Sequence, residues 1–144
     1  MTSYAKLRSS IIINEKMLWN ASKRNNPFME YNHIEIINVE TDHAVLKLEI
    51  QPESRNLWGT LHGGAMCTMA DNAVGIALST DGRIYVTQNC YMSFIGNQES
   101  GIVFAEAWVC HRGKTTSVVN VEVKGMNENL IATGKYSFYC LGTR

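Results

Sequence analysis

The 144-residue chain predicts one α+β domain: an antiparallel sheet wrapped around a single long central helix, with an N-terminal helix. Three observations carry that expectation. Runs with strand alternation dominate the chain, and a single helical stretch interrupts them after the first pair. That stretch is also apolar nearly all round, so it reads as buried. The length suits one domain with a real core and is short for two.

Tyr4, Leu7, Ile11, Leu18 and Ala21 fall on one face of a helix over about residues 4–24, and Asn25-Asn26-Pro27 reads as its stop. Residues 1–27 are therefore expected to pack on the domain as a cap, with a lid over a pocket as the alternative. From His43 to Ile50 the pattern alternates, Ala44, Leu46, Leu48 and Ile50 against Lys47 and Glu49; with Ile34 and Ile36 ahead of Glu40-Thr41-Asp42 it makes a hairpin. Four more strands are expected over Arg83–Phe94, Ile102–His111, Thr115–Lys124 and Leu130–Leu141, separated by Gly- and Asn-bearing turns. The central helix, about His62 to Thr80, is built of Gly, Ala and Met and carries no Lys or Arg. At ~1.5 Å per residue it is about as long as a five- or six-stranded sheet is wide.

Composition narrows the function classes. Net charge is zero and basic residues are scattered, which argues against nucleic acid and anionic membranes as partners. No leader with a basic start, apolar stretch and cleavage site is visible, and apolar runs such as Ile11-Ile12-Ile13 are far too short to span a bilayer. Cys67, Cys90, Cys110 and Cys140 are widely spaced and read as reduced core cysteines, which implies the cytoplasm.

Asp71 stands in the middle of the apolar helix, with Cys67, Thr68, Val74 and Gly75 as its neighbours one turn away. None of these neutralises a carboxylate. A charge placed at that cost points to function, although a structural Asp bonded to Thr68 or a distant amide is the plain alternative. His62-Gly63-Gly64 opens the same helix. A helix start offers free N–H groups and the positive end of the dipole, and glycine lets a ligand oxygen approach. That is what an oxyanion hole requires. Gly63 and Asp71 are eight residues apart, about 12 Å along one helix, and His62 points roughly opposite to Asp71. One helix cannot bring both to a single small group, so the spacing predicts a site shared between two chains.

Asn56-Leu57-Trp58-Gly59-Thr60-Leu61-His62-Gly63-Gly64, with Asp71 seven residues after Gly64, resembles the N-x-x-G-x-x-H-G-G-(x)6-D signature of hotdog thioesterases of the phenylacetyl-CoA (PaaI) type. The resemblance spans about residues 34–141. It includes Val86-Thr87 and a run from Ala105 to Thr115 similar to the family's AEA-x-V-x-HRGR-T hairpin. It implies a hotdog fold, a homodimer or dimer of dimers, no metal or prosthetic group, and an acyl-CoA substrate cleaved to free acid and coenzyme A. By the same resemblance Asp71 is the general base or nucleophile and Gly63 donates its N–H to the thioester oxygen. Asn56 and His62 help hold the thioester or the water, and Thr87 orients the water from the same chain as Asp71.

A thioester carbonyl is electrophilic and thiolate leaves readily, so one carboxylate and one or two oxyanion donors suffice. The chain has no G-x-S-x-G run. Gly64 joins Gly63 as a candidate substrate contact, and Arg112 and Lys114 lie in a turn from which they reach the coenzyme's phosphates, an exposed basic turn being the alternative. Trp58, Met66, Met69 and Met92 are candidate acyl-pocket residues, methionine at helical spacing being more often core. Two rival functions stay open: a hotdog hydratase or dehydratase, and a non-catalytic acyl-CoA-binding module.

Overall fold

The computed structural model describes residues 26–143; the helix expected over residues 4–24 lies outside them. Chain order is α1 (Pro27–Tyr31), β1 (Ile34–Glu40), β2 (His43–Glu49), α2 (Gly63–Leu78), β3 (Arg83–Phe94), β4 (Ile102–Arg112), β5 (Thr116–Lys124) and β6 (Leu130–Thr143). Single 3-10 turns, Pro52–Ser54 and Ser79–Asp81, stand before and after α2. Of the triplet read as a helix stop, Asn26 and Pro27 open α1. Asn26 accepts a hydrogen bond from the Met29 N–H at 3.2 Å and Pro27 takes the first helical position.

All six strands pair antiparallel, in the order β1-β2-β4-β5-β6-β3. This is the expected sheet around one helix. Asp42, with φ +62°, makes the tight turn between β1 and β2, a conformation Asp tolerates better than most side chains. The sheet curls so that every strand touches α2. Leu46 and Leu48 of β2, Val103 and Ala105 of β4, Val119 and Val121 of β5 and Tyr136 of β6 close on Met66, Met69, Ala70, Ala73 and Val74 of the helix. Each large side chain buried there contributes roughly 1.5–3 kcal/mol, and the alanines let the sheet come close. Met66 and Met69 are core, as methionines at this spacing usually are.

The helix is not covered all round, which corrects the reading from its apolar composition. Thr68, Asp71, Asn72, Gly75, Ile76 and Ser79 are only partly buried, and Gly64 is exposed. These positions recur every three or four residues and form one stripe. The stripe faces the gap between the two sheet edges, β1 and β3. Glycine and isoleucine on the stripe hid it, because an open face need not be a charged one. The cysteines need a similar correction: all four are free thiols, but Cys90 and Cys110 are exposed and Cys67 and Cys140 half-buried, so none is core.

Arg112 ties the sheet to the far end of the helix. Its guanidinium donates to Asp42 (3.1 Å from Nε), to Asp81 (2.7 Å), to the Tyr85 hydroxyl oxygen (2.7 Å) and to the Leu78 carbonyl (3.0 Å). Asp81 also accepts from the Tyr85 hydroxyl at 2.6 Å and from Arg83 Nε at 2.6 Å. Partial burial works against the Asp81 carboxylate. The hydrogen bonds from Tyr85 and Arg83 and the charge of Arg112 outweigh it and hold the group down to about 2. Replacing Arg112 with Gln leaves Asp42 and Asp81 without their shared cation. We expect Arg112→Gln to cost about 2–3 kcal/mol of stability, read from denaturant midpoints at one protein concentration. A loss below about 0.5 kcal/mol would show that the clasp is ornamental.

Candidate active site

Asp71 lies near the middle of α2, on the half-exposed stripe. β3 runs back alongside the helix and brings Thr87 to it, and the Thr87 hydroxyl donates to Asp71 Oδ1 at 2.6 Å. Burial raises the Asp71 carboxyl above the usual carboxylate range, and the Thr87 hydrogen bond offsets part of that rise. The group is therefore a carboxylate held in an unfavourable setting with one donor. Its donor is Thr87, not the Thr68 or distant amide of the structural alternative.

The helix start has its own geometry. His62 is the N-cap: its Nδ1 accepts from the Gly64 N–H at 2.8 Å, which leaves the proton of a neutral ring on Nε2, towards solvent. Gly64, read from sequence as a candidate substrate contact, therefore spends its N–H inside the chain and has none to offer a ligand. A side chain at Gly64 would begin 3.0 Å from His62 Nδ1, so glycine there makes room for the capping ring. The Gly63 N–H, by contrast, meets no acceptor among the described residues. A side chain there would meet only the Phe94 ring, at 3.6 Å.

Asn56 shapes the loop that leads into His62. Its side-chain oxygen accepts from the N–H groups of Trp58 (2.9 Å) and Thr60 (3.2 Å), and its amide donates to Thr60 Oγ1 at 2.9 Å. Gly59, at φ +77°, completes the turn. Within one chain, Asn56, His62 and Gly63 gather at the helix start, while Asp71 and Thr87 gather eight residues along it. α2 is unbroken from Gly63 to Leu78, so about 12 Å of helix separates the two groups. Arg112 belongs to neither, its N–H groups being engaged as described. Lys114 is exposed on the β4–β5 turn.

Beside Asp71 the gap between the sheet edges opens into a cavity of about 460 Å³. Met29, Ile34, Ile36, Ile76, Tyr85 and Phe138 supply its apolar walls, and Asn72, Glu30 and Glu35 its polar ones. None of these wall residues stands out as a site in the sequence. Ile34 and Ile36 read as plain strand alternation, and Tyr85 and Phe138 reach the cavity only through the curl of the sheet. The residues proposed from sequence contribute differently: Met66 and Met69 are buried, Met92 is half-buried, and Trp58 is exposed on the loop tip. Among the described residues no helix is long and apolar enough to cross a membrane, and no group of His, Cys, Asp and Glu is arranged to hold a metal.

The thioesterase superfamily model matches residues 59–132, from the loop glycine to the start of β6. The chain belongs to the thioesterase superfamily. The 1,4-dihydroxy-2-naphthoyl-CoA hydrolase of Listeria monocytogenes is 30% identical over 105 residues, covering 71% of this chain and 85% of that protein. The acyl-coenzyme A thioesterase PaaI of Escherichia coli is 28% identical over 100 residues, covering 69% and 71%. The solved structure of the E. coli PaaI protein from the phenylacetic acid degradation operon superposes with a TM-score of 0.84 at 24% identity, over 92% of this chain and 98% of that one. The fold of this thioesterase-superfamily chain is thus the hotdog fold, with α2 as its central helix.

The Asp71 environment gives a testable sign. A carboxyl raised in the folded state binds its proton more tightly there than in the unfolded chain. Its contribution to stability is complete below the unfolded carboxyl pKa, about 4, and is lost as pH rises through the folded value. Asn is neutral at every pH and keeps an oxygen for Thr87. Asp71→Asn should therefore unfold at a higher denaturant concentration than wild type at pH 7, and the two should converge towards pH 4. A lower midpoint for the variant at pH 7 would mean that the carboxylate is stabilised by its surroundings.

Proposed function

We propose that this chain hydrolyses acyl-CoA thioesters to a free acid and coenzyme A, in a site shared by two copies of itself. The observation that carries the proposal is the Asp71–Thr87 pair: a raised carboxyl with a single donor, facing a cavity of acyl size. Ionised Asp71 takes a proton from water as the oxygen adds to the thioester carbon, with direct attack by the carboxylate as the other route. The carbonyl oxygen becomes an oxyanion and accepts the Gly63 N–H at the positive end of α2. The intermediate collapses, the carbon–sulfur bond breaks, and the leaving thiolate takes the proton that Asp71 holds, which restores the carboxylate. Thr87 already donates to Asp71, so its oxygen lone pairs are left to accept from the water and orient it. Asn56 keeps the loop in shape and His62 the helix start. Lys114, exposed on the β4–β5 turn, is the candidate that remains for the coenzyme's phosphates, because Arg112 is engaged inside the fold. No metal or prosthetic group takes part in this scheme. The free thiols support a reducing compartment, the cytoplasm.

The shared site follows from the helix. Asp71 and Gly63 of one chain are about 12 Å apart, so the Gly63 that serves Asp71 comes from a partner. A two-fold axis parallel to α2 would set like residues at equal heights and leave the offset unclosed. The axis is therefore perpendicular to α2, the two helices run antiparallel, and the axis passes beside Cys67, midway between residues 63 and 71. β3 supports the same placement. It is a sheet edge with Val86 and Tyr91 exposed, and its midpoint between Thr87, beside Asp71, and Phe94, beside Gly63, falls at Cys90–Tyr91. Two such edges meet antiparallel about that point.

Release of free thiol from an acyl-CoA panel tests the reaction directly and separates it from hydration and from mere binding. Asp71→Asn should lower kcat by roughly 10²–10⁴-fold. It should also remove the acid limb of the kcat/KM profile, which in wild type lies above the ordinary carboxylate range. Wild type that binds acyl-CoA and releases no thiol would leave a binding module.

Sharing has its own test. Purified heterodimers of an Asp71→Asn chain and an Asn56→Ala chain collect both lesions in one site and none in the other. They should regain about half of wild-type activity. Activity no higher than that of the parents would place both residues in one chain's site.

A further inference from the structure

Leu57 and Trp58 are the most exposed large apolar side chains on a well-tethered segment. They are 98% and 86% accessible at the tip of the loop that enters α2. This tip is not a loose one. Asn56 N–H donates to the Thr60 carbonyl at 2.8 Å, the bridge between Arg55 and Leu61 closes the base, and the Asn56 side chain fills the middle. The base is tied in turn to the segment after β3: Leu61 N–H donates to the Gln98 carbonyl at 2.9 Å, and Asn97 donates to Thr60 Oγ1 at 3.1 Å. A large aromatic side chain is thus presented to solvent on a braced support. Such a residue is characteristic of a surface that meets a partner.

The two-fold placement says where that tip goes. With the helices antiparallel and the partner's Gly63 opposite Asp71, the partner's helix start points along α2 past Asp71, and the loop before it falls on the side of Asn72, Ile76 and Ser79. Those three residues line the cavity together with Asp71 and Gly75. On that placement the partner's loop lies beside the cavity. The cavity supplies apolar walls at Met29, Ile34, Ile36 and Ile76 and lacks an apolar cover from its own chain among the described residues.

We infer that Trp58 of one chain closes the acyl cavity of the other and sets the size of acyl group that it takes. The inference rests on the shared-site thioesterase reading and deepens it. Trp58 is a specificity residue, acting on the acyl group in trans, and takes no part in the proton transfers. The substrate class that follows is an acyl-CoA whose acyl group is long or aromatic enough to pass Asp71 and reach the indole. A two-carbon acyl group ends beside Asp71 and does not touch it.

The test uses heterodimers purified by two tags, each with one Asp71→Asn chain, so that a single site survives. That site takes its Asp71 from the intact chain and its Trp58 from the Asp71→Asn chain. Trp58→Ala on the Asp71→Asn chain should raise KM at least roughly tenfold for a phenylacetyl- or decanoyl-CoA probe. It should change KM for acetyl-CoA less than twofold and kcat for either only slightly. Trp58→Ala on the intact chain should change nothing. A loss with the substitution on the intact chain would mean that Trp58 acts within its own chain. An equal loss for acetyl-CoA would put Trp58 on the coenzyme, and no loss in either arrangement would leave the cavity to another cover. Each of these overturns the inference. Absence of thiol release by the wild-type dimer would sink the underlying reading instead, and shows before any variant is made.

Discussion

A helix advances about 1.5 Å per residue whatever its sequence, and the rest of this molecule is arranged around that rule. α2 carries a free N–H at Gly63 and a strained carboxylate at Asp71 on one rigid rod. No rotamer or loop movement can shorten the distance between them. β3 accepts the same constraint, because it runs back along the helix with Thr87 beside one functional position and Phe94 beside the other. On the shared-site proposal each chain holds half of two sites, and its open edge and open stripe are the surfaces on which the other half would come. Edge strands left bare are ordinarily a hazard. Here the bare edge and the incomplete site lie on the same side, so one association would cover both.

Two carboxylates, one in the middle of α2 and one in the turn just past its end, show how the chain uses its donors. Asp81 receives hydrogen bonds from Tyr85 and from Arg83, and the Arg112 charge besides, so it stays ionised down to about 2. Asp71 has Thr87 alone and is raised by burial. Donors and charge were available in this fold, and they are gathered at the end of the helix where the clasp to Asp42 is built. The middle of the helix was left without them. A carboxylate with every lone pair satisfied is a good anchor and a poor base. The difference between the two groups is the one that the proposed chemistry asks for: Asp81 holds the fold, and Asp71 is left fit to act as a base.

Much of this was legible in the sequence, for reasons that differ by element. β3 through β6 announce themselves because alternation and turn residues are local signals, and the strands fall within about two residues of the expected limits. Asp71 was visible as a charge without a partner in an apolar run. What stayed hidden depends on curvature. The open stripe of α2 mixes Thr68, Asp71, Asn72 and Ser79 with Gly64, Gly75 and Ile76 and carries no Lys or Arg, so no ordinary charged face marked it, and its exposure follows from where the sheet stops. The cavity walls come from β1, β3 and β6 at once, an arrangement that no stretch of sequence contains. Arg112 sits in a turn beside Lys114 and has the look of a surface residue. Only the fold brings Asp42, Asp81 and Leu78 to it. The cysteines misled in the opposite sense, since an apolar neighbourhood along the chain does not say which face of a strand or helix a side chain takes.

The two glycines that open α2 illustrate why a motif and its mechanism must be read separately. Both were candidates for the same task, close approach of a ligand to backbone N–H. The structure gives them different ones. Gly64 is small because the His62 ring folds over it to take its N–H, and a side chain there would begin 3.0 Å from Nδ1. That hydrogen bond satisfies one of the orphan donors at the helix start and points the other ring nitrogen outward. Gly63 is then the first donor left free, at the positive end of the rod. Had the ring taken the Gly63 N–H instead, the free donor would be Gly64, one residue further into the helix. The order of the three residues, rather than the presence of two glycines, is what sets which donor is left free.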